Sequence, residues 1–225
     1  MYDFDIKLKS EPSNSFRVAK IMADFDVKPE HCREEIKGCI ELPEKWNIGV
    51  IVGPSGTGKS TIANKIFPDI LFSDFCYKSK SVIDDMPEEC SVDQISKMFY
   101  AVGFGSVPSW LKPYSVLSNG EKMRVDLANA LLKYSEIAFD EFTSVVDRNV
   151  AKTCCIAIKK AIKLTGKKFI AVSCHYDILD YLEPDWVFDT QKMESFFGTS
   201  PDRKEYFQLE NAEGANGKNL GVITI

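Results

Sequence analysis

The stretch Gly53-Pro54-Ser55-Gly56-Thr57-Gly58-Lys59-Ser60-Thr61 constrains this chain more than any other. It fits G-x-x-x-x-G-K-[ST] at every fixed position. Glycine lets a backbone curl tightly, with successive N–H groups turned inward to form a concavity for anions. Upstream, Asn47 to Val52 is a short apolar run; downstream, Ser60 to Phe67 reads as a helix stopped by Pro68. The positive dipole end of that helix adds to the loop. Strand, glycine loop and helix together predict a cradle for phosphate oxygens.

In such a cradle Lys59 reaches the β- and γ-phosphates of a nucleotide, and the Ser60 hydroxyl ligates Mg²⁺. This predicts ATP and Mg²⁺ as ligands but leaves kinases, GTPases, AAA+ proteins and ABC ATPases open. The remaining periodicity predicts a helix from Ser118 to about Lys133 and a strand over Glu136 to Phe139. A helix from about Arg148 to Leu164 and a strand over Lys168 to Ser173 follow. That alternation is a parallel βαβ layout, so the expected fold is α/β with a mainly parallel sheet. Alternating segments at Asp3 to Lys9 and Phe16 to Met22 predict an N-terminal antiparallel part over about 1–46. Between Asp69 and Pro113 only Ser91 to Val102 reads as a helix. The last 30 or so residues read as short strands and a Gly/Asn-rich tail. The expectation is one domain over 1–225, with a small helical subdomain inserted at about 84–133.

A second group of residues adds to the chemistry. Ile137-Ala138-Phe139-Asp140-Glu141 is an apolar strand ending in two carboxylates. The first is placed to sit near Mg²⁺ and the second to polarise an attacking water. Leu117-Ser118-Asn119-Gly120-Glu121-Lys122 has a plain structural account, since Ser118 and Glu121 form a capping box. Capping does not require Gly120, which costs about 1 kcal/mol in a helix relative to alanine. Glycine there suits close approach of a group such as phosphate to the helix N-terminus.

Leu117 to Glu121, LSNGE, resembles the ABC signature motif LSGGQ, and the rest of the chain follows in that family's order. Ser144-Val145-Val146-Asp147 resembles its D-loop, and His175, after the strand ending at Cys174, sits where the family carries a switch histidine. The resemblance covers about residues 47–190. It implies ATP bound between two head-to-tail copies, with Gly53 to Thr61, Asp140, Glu141 and His175 acting in one copy. Ser118 to Glu121 of the other would meet the γ-phosphate, and Asp147 would couple the two sites. Glu141, His175 and Lys59 are thus the expected catalytic residues, and Ser60 and Asp140 the expected metal ligands.

The family's Q-loop glutamine is not evident. Gln94 is the only glutamine between loop and signature, and Asp84, after the strand-like Ser81-Val82-Ile83, is a candidate replacement. Phe25 and Phe16 are candidates for stacking on adenine. The short span from Lys59 to Ser118 argues against a transporter ATPase. The stretch from Phe99 to Lys122 most resembles soluble ABC ATPases, some of them joined to acetyltransferase-like domains. No such domain is read here, which implies a separate protein partner. The competing readings are a transporter's ATP-binding subunit, an ATP-dimerised binding module with little turnover, and a small-molecule kinase. A kinase has no use for Ser118-Asn119-Gly120 or Asp147.

Bulk properties narrow the surroundings. A net charge of −5 gives no general attraction to nucleic acid or anionic membrane, although Lys159, Lys160, Lys163, Lys167 and Lys168 form a local basic cluster. Apolar runs such as Phe169 to Val172 are too short to span a bilayer, and the acidic start is no signal peptide. Seven cysteines (Cys32, Cys39, Cys76, Cys90, Cys154, Cys155, Cys174) show neither CxxC nor metal-ligand spacing, which predicts reduced thiols and a cytoplasmic setting.

Overall fold

The computed structural model describes residues 1–28, 33–72 and 75–198. The chain divides into two compact units, Met1–Glu41 and Leu42–Ile225. In the first, strand β1 (Tyr2–Lys9) pairs antiparallel with β2 (Arg33–Ile40), Tyr2 lying opposite Ile40. Helix α1 (Phe16–Asp24) lies between them in sequence. The expected strand over Phe16 to Met22 is therefore a helix. Val18, Ile21, Met22 and Phe25 follow the helical spacing, and Ser15 caps the start, its Oγ accepting from the Val18 N–H at 3.3 Å.

The second unit is built on six strands in the order β4-β5-β6-β3-β7-β8. These are β3 (Ile48–Val52), β4 (Leu71–Phe72), β5 (Glu136–Phe139), β6 (Lys168–Ser173), β7 (Trp186–Asp189) and β8 (Glu194–Phe197). All neighbours run parallel except β7 and β8, which are antiparallel. Central β3 is buried at all five positions, as expected of a parallel strand covered on both faces. Gly49 of β3 meets the Trp186 indole so closely that a Cβ there would stand 2.1 Å from the ring.

Helices α2 (Lys59–Ile66), α6 (Arg148–Thr165) and α7 (Ile178–Leu182) accompany these strands. A helical portion follows β4, with α3 (Val92–Ala101), α4 (Val107–Trp110) and α5 (Asn119–Lys133). It also holds 3-10 turns at Val82–Asp85 and Tyr114–Val116. The strand-like Ser81-Val82-Ile83 thus enters a turn. Val82 is buried there and donates its N–H to the Lys112 carbonyl, while Asp85 closes the loop by accepting from the Lys78 and Ser79 N–H groups. The expected tail lies, from residue 199 onward, outside the described residues, as does Cys32. The other six cysteines are free thiols, and among the described residues no helix is long and apolar enough to cross a membrane.

Parallel β3, β5, β6 and β7 all open at their carboxyl ends onto one edge of the sheet. The segments that leave them begin at Gly53, Asp140, Cys174 and Thr190. Ligands of open α/β sheets bind at such an edge.

Candidate functional site

The glycine loop leaves β3 and ends at Gly58, the left-handed N-cap of α2 (φ 81°). Gly56 is also left-handed (φ 86°), and a Cβ built on it would meet no atom within 4 Å, so the loop crest is open. Gly53 is closed in: a Cβ there would lie 2.2 Å from Thr190 Oγ1. Thr190 is buried, its hydroxyl 2.5 Å from the Thr57 hydroxyl and 3.2 Å from the Val52 carbonyl. Thr57 in turn donates to the Pro54 carbonyl at 2.9 Å. The Lys59 side chain folds under the loop, 7% exposed, and its ammonium donates to the same carbonyl at 2.7 Å. Ser55 sits on the loop's exposed side, while Thr61 lies within the first turn of α2.

Ser60 and Asp140, 80 positions apart, meet at this edge: Ser60 Oγ donates to Asp140 Oδ1 at 3.0 Å. A hydroxyl and a carboxylate side by side suit a hard divalent cation such as Mg²⁺. The Glu141 N–H also donates to Asp140 Oδ1, at 2.9 Å. Glu141 itself is exposed and held at φ 50°, with Thr143 at φ 67°. Left-handed backbone at two non-glycine residues is strain of the kind that collects at functional sites. Ser144 Oγ, donating to the Glu141 carbonyl at 2.8 Å, braces the turn.

A cavity of about 430 Å³ adjoins these acids. Its walls include Asp140, Glu141 and Val145 on one side and Asn119, Lys122 and Met123 of α5 on the other. Tyr114, also on the wall, stacks on Tyr77 at 4.0 Å and donates its hydroxyl to Asp126 at 2.8 Å. Burial raises the Tyr77 phenol well above its ordinary pKa, and the Asp126 charge adds to this.

At the start of α5 the capping box is complete. Glu121 Oε2 accepts from the Ser118 N–H at 3.0 Å and from the Ser118 hydroxyl at 2.9 Å, and Ser118 Oγ accepts from the Glu121 N–H. The bond from the Ser118 N–H holds the Glu121 carboxyl below its ordinary pKa. Gly120 also has a packing reason: a Cβ would stand 3.0 Å from Val150 Cγ1 of α6. Asp147 caps α6, accepting from the Asn149 and Val150 N–H groups at 2.9 and 3.0 Å.

His175 follows β6 and is half-buried, its N–H donating to Ser173 Oγ at 3.1 Å. Burial lowers its pKa first and the Arg148 charge second; Lys59 adds to this, while Asp177 and Glu141 oppose it. The imidazole thus lies within the field of both Lys59 and Glu141.

Other candidates go elsewhere. Gln94 completes a capping box with Ser91 at the start of α3, and Asp84 sits exposed on its 3-10 turn; neither lines the cavity. Phe16 and Phe25 belong to the N-terminal unit, both exposed. Three lysines of the basic cluster have local partners. Lys159 pairs with Glu183 and Lys168 with Glu136, while Lys167 donates to the Leu131 and Tyr134 carbonyls at the end of α5. Thr190 and Arg148 were not singled out from sequence, and Tyr114 was read only within the Phe99 to Lys122 stretch, without a role. Thr190 carried a signal, because Trp186 to Thr190 ends an apolar run in polar residues just as Ile137 to Glu141 does.

No protein-family model and no curated protein matches the chain. Solved structures do. CbiO1 from Clostridium perfringens, part of the ABC transporter complex CbiONQ, is similar at 21% identity and TM-score 0.60, over 81% of this chain and 88% of that one. The bacterial ABC transporter cassette MJ0796, solved as a dimer, is similar at 18% identity and TM-score 0.53, over 69% and 87%. A bacterial Atm1-family ABC exporter with ATP bound gives 18% and 0.57, over 75% of this chain and 37% of that one. With its glycine loop, acidic strand end and histidine turn on one sheet edge, this chain has the ABC ATPase variant of the P-loop NTPase fold.

Proposed function

We propose that the chain binds Mg²⁺-ATP and hydrolyses it to ADP and phosphate, closing with a second copy head to tail around the nucleotide. The observation that carries this reading is the meeting of Ser60 with Asp140 at 3.0 Å, beside the open glycine loop and Glu141. Loop N–H groups from Gly53 to Thr61 and the dipole of α2 bind the phosphates, and Lys59 exchanges the Pro54 carbonyl for a phosphate oxygen. Ser60 and Asp140 would hold Mg²⁺, which when bound neutralises phosphate charge. Glu141, exposed beside Asp140, orients and polarises the attacking water. His175, largely neutral at pH 7 because its pKa is lowered, offers a hydrogen bond to the γ-phosphate. In the second copy Ser118, Asn119 and Gly120 meet that phosphate across the interface, with Asp147 joining the two sites.

The finer reading is a switch in an intracellular assembly with a protein partner, outside membrane transport. The short Lys59-to-Ser118 span supports it, as do the capping role of Gln94 and the exposed place of Asp84 away from the cavity. The competing role as a transporter's ATP-binding subunit uses the same engine, and all three similar structures described above carry transporter or exporter names. Nucleic acid is disfavoured by the net charge and by the local partners of Lys159, Lys167 and Lys168.

Phosphate release and nucleotide binding, measured on the same variants, test the proposal. Lys59→Ala should lose both, whereas Glu141→Gln should keep ATP binding and slow turnover roughly 100-fold or more. Full turnover by Glu141→Gln, or phosphate passed to an acceptor other than water, would contradict it.

A further inference from the structure

Asp177 occupies the N-cap position of α7, yet its side chain makes no capping bond there. Arg148, 29 positions earlier, takes the carboxylate instead: Nε donates to Oδ2 at 2.9 Å and Nη2 donates to Oδ1. This two-point fork fixes the relative orientation of the two side chains, which a single contact would not. The third guanidinium nitrogen, Nη1, is buried without a hydrogen-bond partner. An unsatisfied buried donor costs stability locally.

The pair's position shows what it joins. Arg148 is the first residue of α6, directly after the cap Asp147, and so ends the loop that begins at Glu141. Asp177 stands two residues past His175, whose own N–H is tied back to Ser173. We propose that the Arg148–Asp177 pair is a positioning clamp, which locks the turn carrying the His175 imidazole to the loop running from Glu141 to Asp147. The consequence for turnover rests on the ATP reading above; the clamp itself does not. Four charged groups act on the imidazole: Arg148, Asp177, Glu141 and Lys59. Arg148 and Asp177 pull its pKa in opposite directions, so breaking the pair from either side has opposite electrostatic signatures.

The chain has two histidines, so His31→Gln leaves His175 as a single imidazole resonance for NMR titration of the nucleotide-free protein. In that background Arg148→Met should raise the His175 pKa and Asp177→Asn should lower it further. Arg148→Lys keeps the charge and loses the fork, so it should restore the titration without restoring turnover. With Mg²⁺-ATP, Arg148→Met and Asp177→Asn should each reduce kcat roughly tenfold or more with KM essentially unchanged. The double variant should be no slower than the slower single. Shifts in the same direction, no shift in either variant, or full turnover by Arg148→Lys would overturn the clamp. A wild-type protein that releases no phosphate but shows the opposite shifts would uphold the clamp and reject the hydrolysis reading.

Discussion

Glycines do unlike jobs at Gly49, Gly58 and Gly120, and only the last two are legible from motifs. Gly58 is a fixed position of the phosphate-loop pattern, and its backbone is left-handed at φ 81°. Gly49 sits inside a strand for a reason that sequence cannot display, because the Trp186 indole across the β3–β7 pair occupies the space of a side chain. Gly49→Ala should cost about 1–3 kcal/mol by overpacking, read as a lower urea midpoint at an unchanged slope. Gly120 was expected to serve a phosphate, and the structure adds a second demand: a Cβ there would stand 3.0 Å from a Val150 methyl. Residues with a chemical spacing, such as Lys59, Ser60, Asp140 and Glu141, could be named in advance. Arg148 and Asp177 could not, because a pair 29 positions apart declares itself only once α6 and the histidine turn are folded together.

Helix starts were the most readable elements, because capping is local chemistry. Ser91, Ser118 and Asp147 all cap the helices expected after them. Helix α1 was misread because Phe16 and Val18 alternate like a strand, whereas Val18, Ile21, Met22 and Phe25 keep helical spacing behind the Ser15 cap. At the start of α5 the box has an electrostatic side. Glu121 has a lowered pKa in the fold, so its ionised form contributes stability above the ordinary value of 4.5, lost as pH falls through the folded value. Glu121→Gln should therefore be less stable at pH 7 by about 0.3–1 kcal/mol, through loss of charge at the helix N-terminus. The deficit should close in acid, as urea titrations across that pH range would show. A deficit that persists or grows in acid would mean that shape rather than charge holds the box.

For the whole molecule, the order of elements from β3 to β6 follows from periodicity. The sheet order β4-β5-β6-β3-β7-β8 does not, because it depends on which strands pair across long connections. That order brings four strand ends to one edge and makes a half-site from loops far apart in sequence. In the proposed reading its open glycine loop supplies phosphate donors, Ser60 and Asp140 hold the cation, and the exposed Glu141 polarises the water. Its exposed Ser118, Asn119 and Val145 (62% exposed) are the side chains through which a second copy would complete it.

The most direct test is the solution mass of Glu141→Gln, by light scattering after gel filtration, with and without Mg²⁺-ATP. The account predicts a monomer without nucleotide and a dimer with it, and predicts that adding Ser118→Arg abolishes the dimer. A protein that binds ATP and remains monomeric would contradict the head-to-tail arrangement.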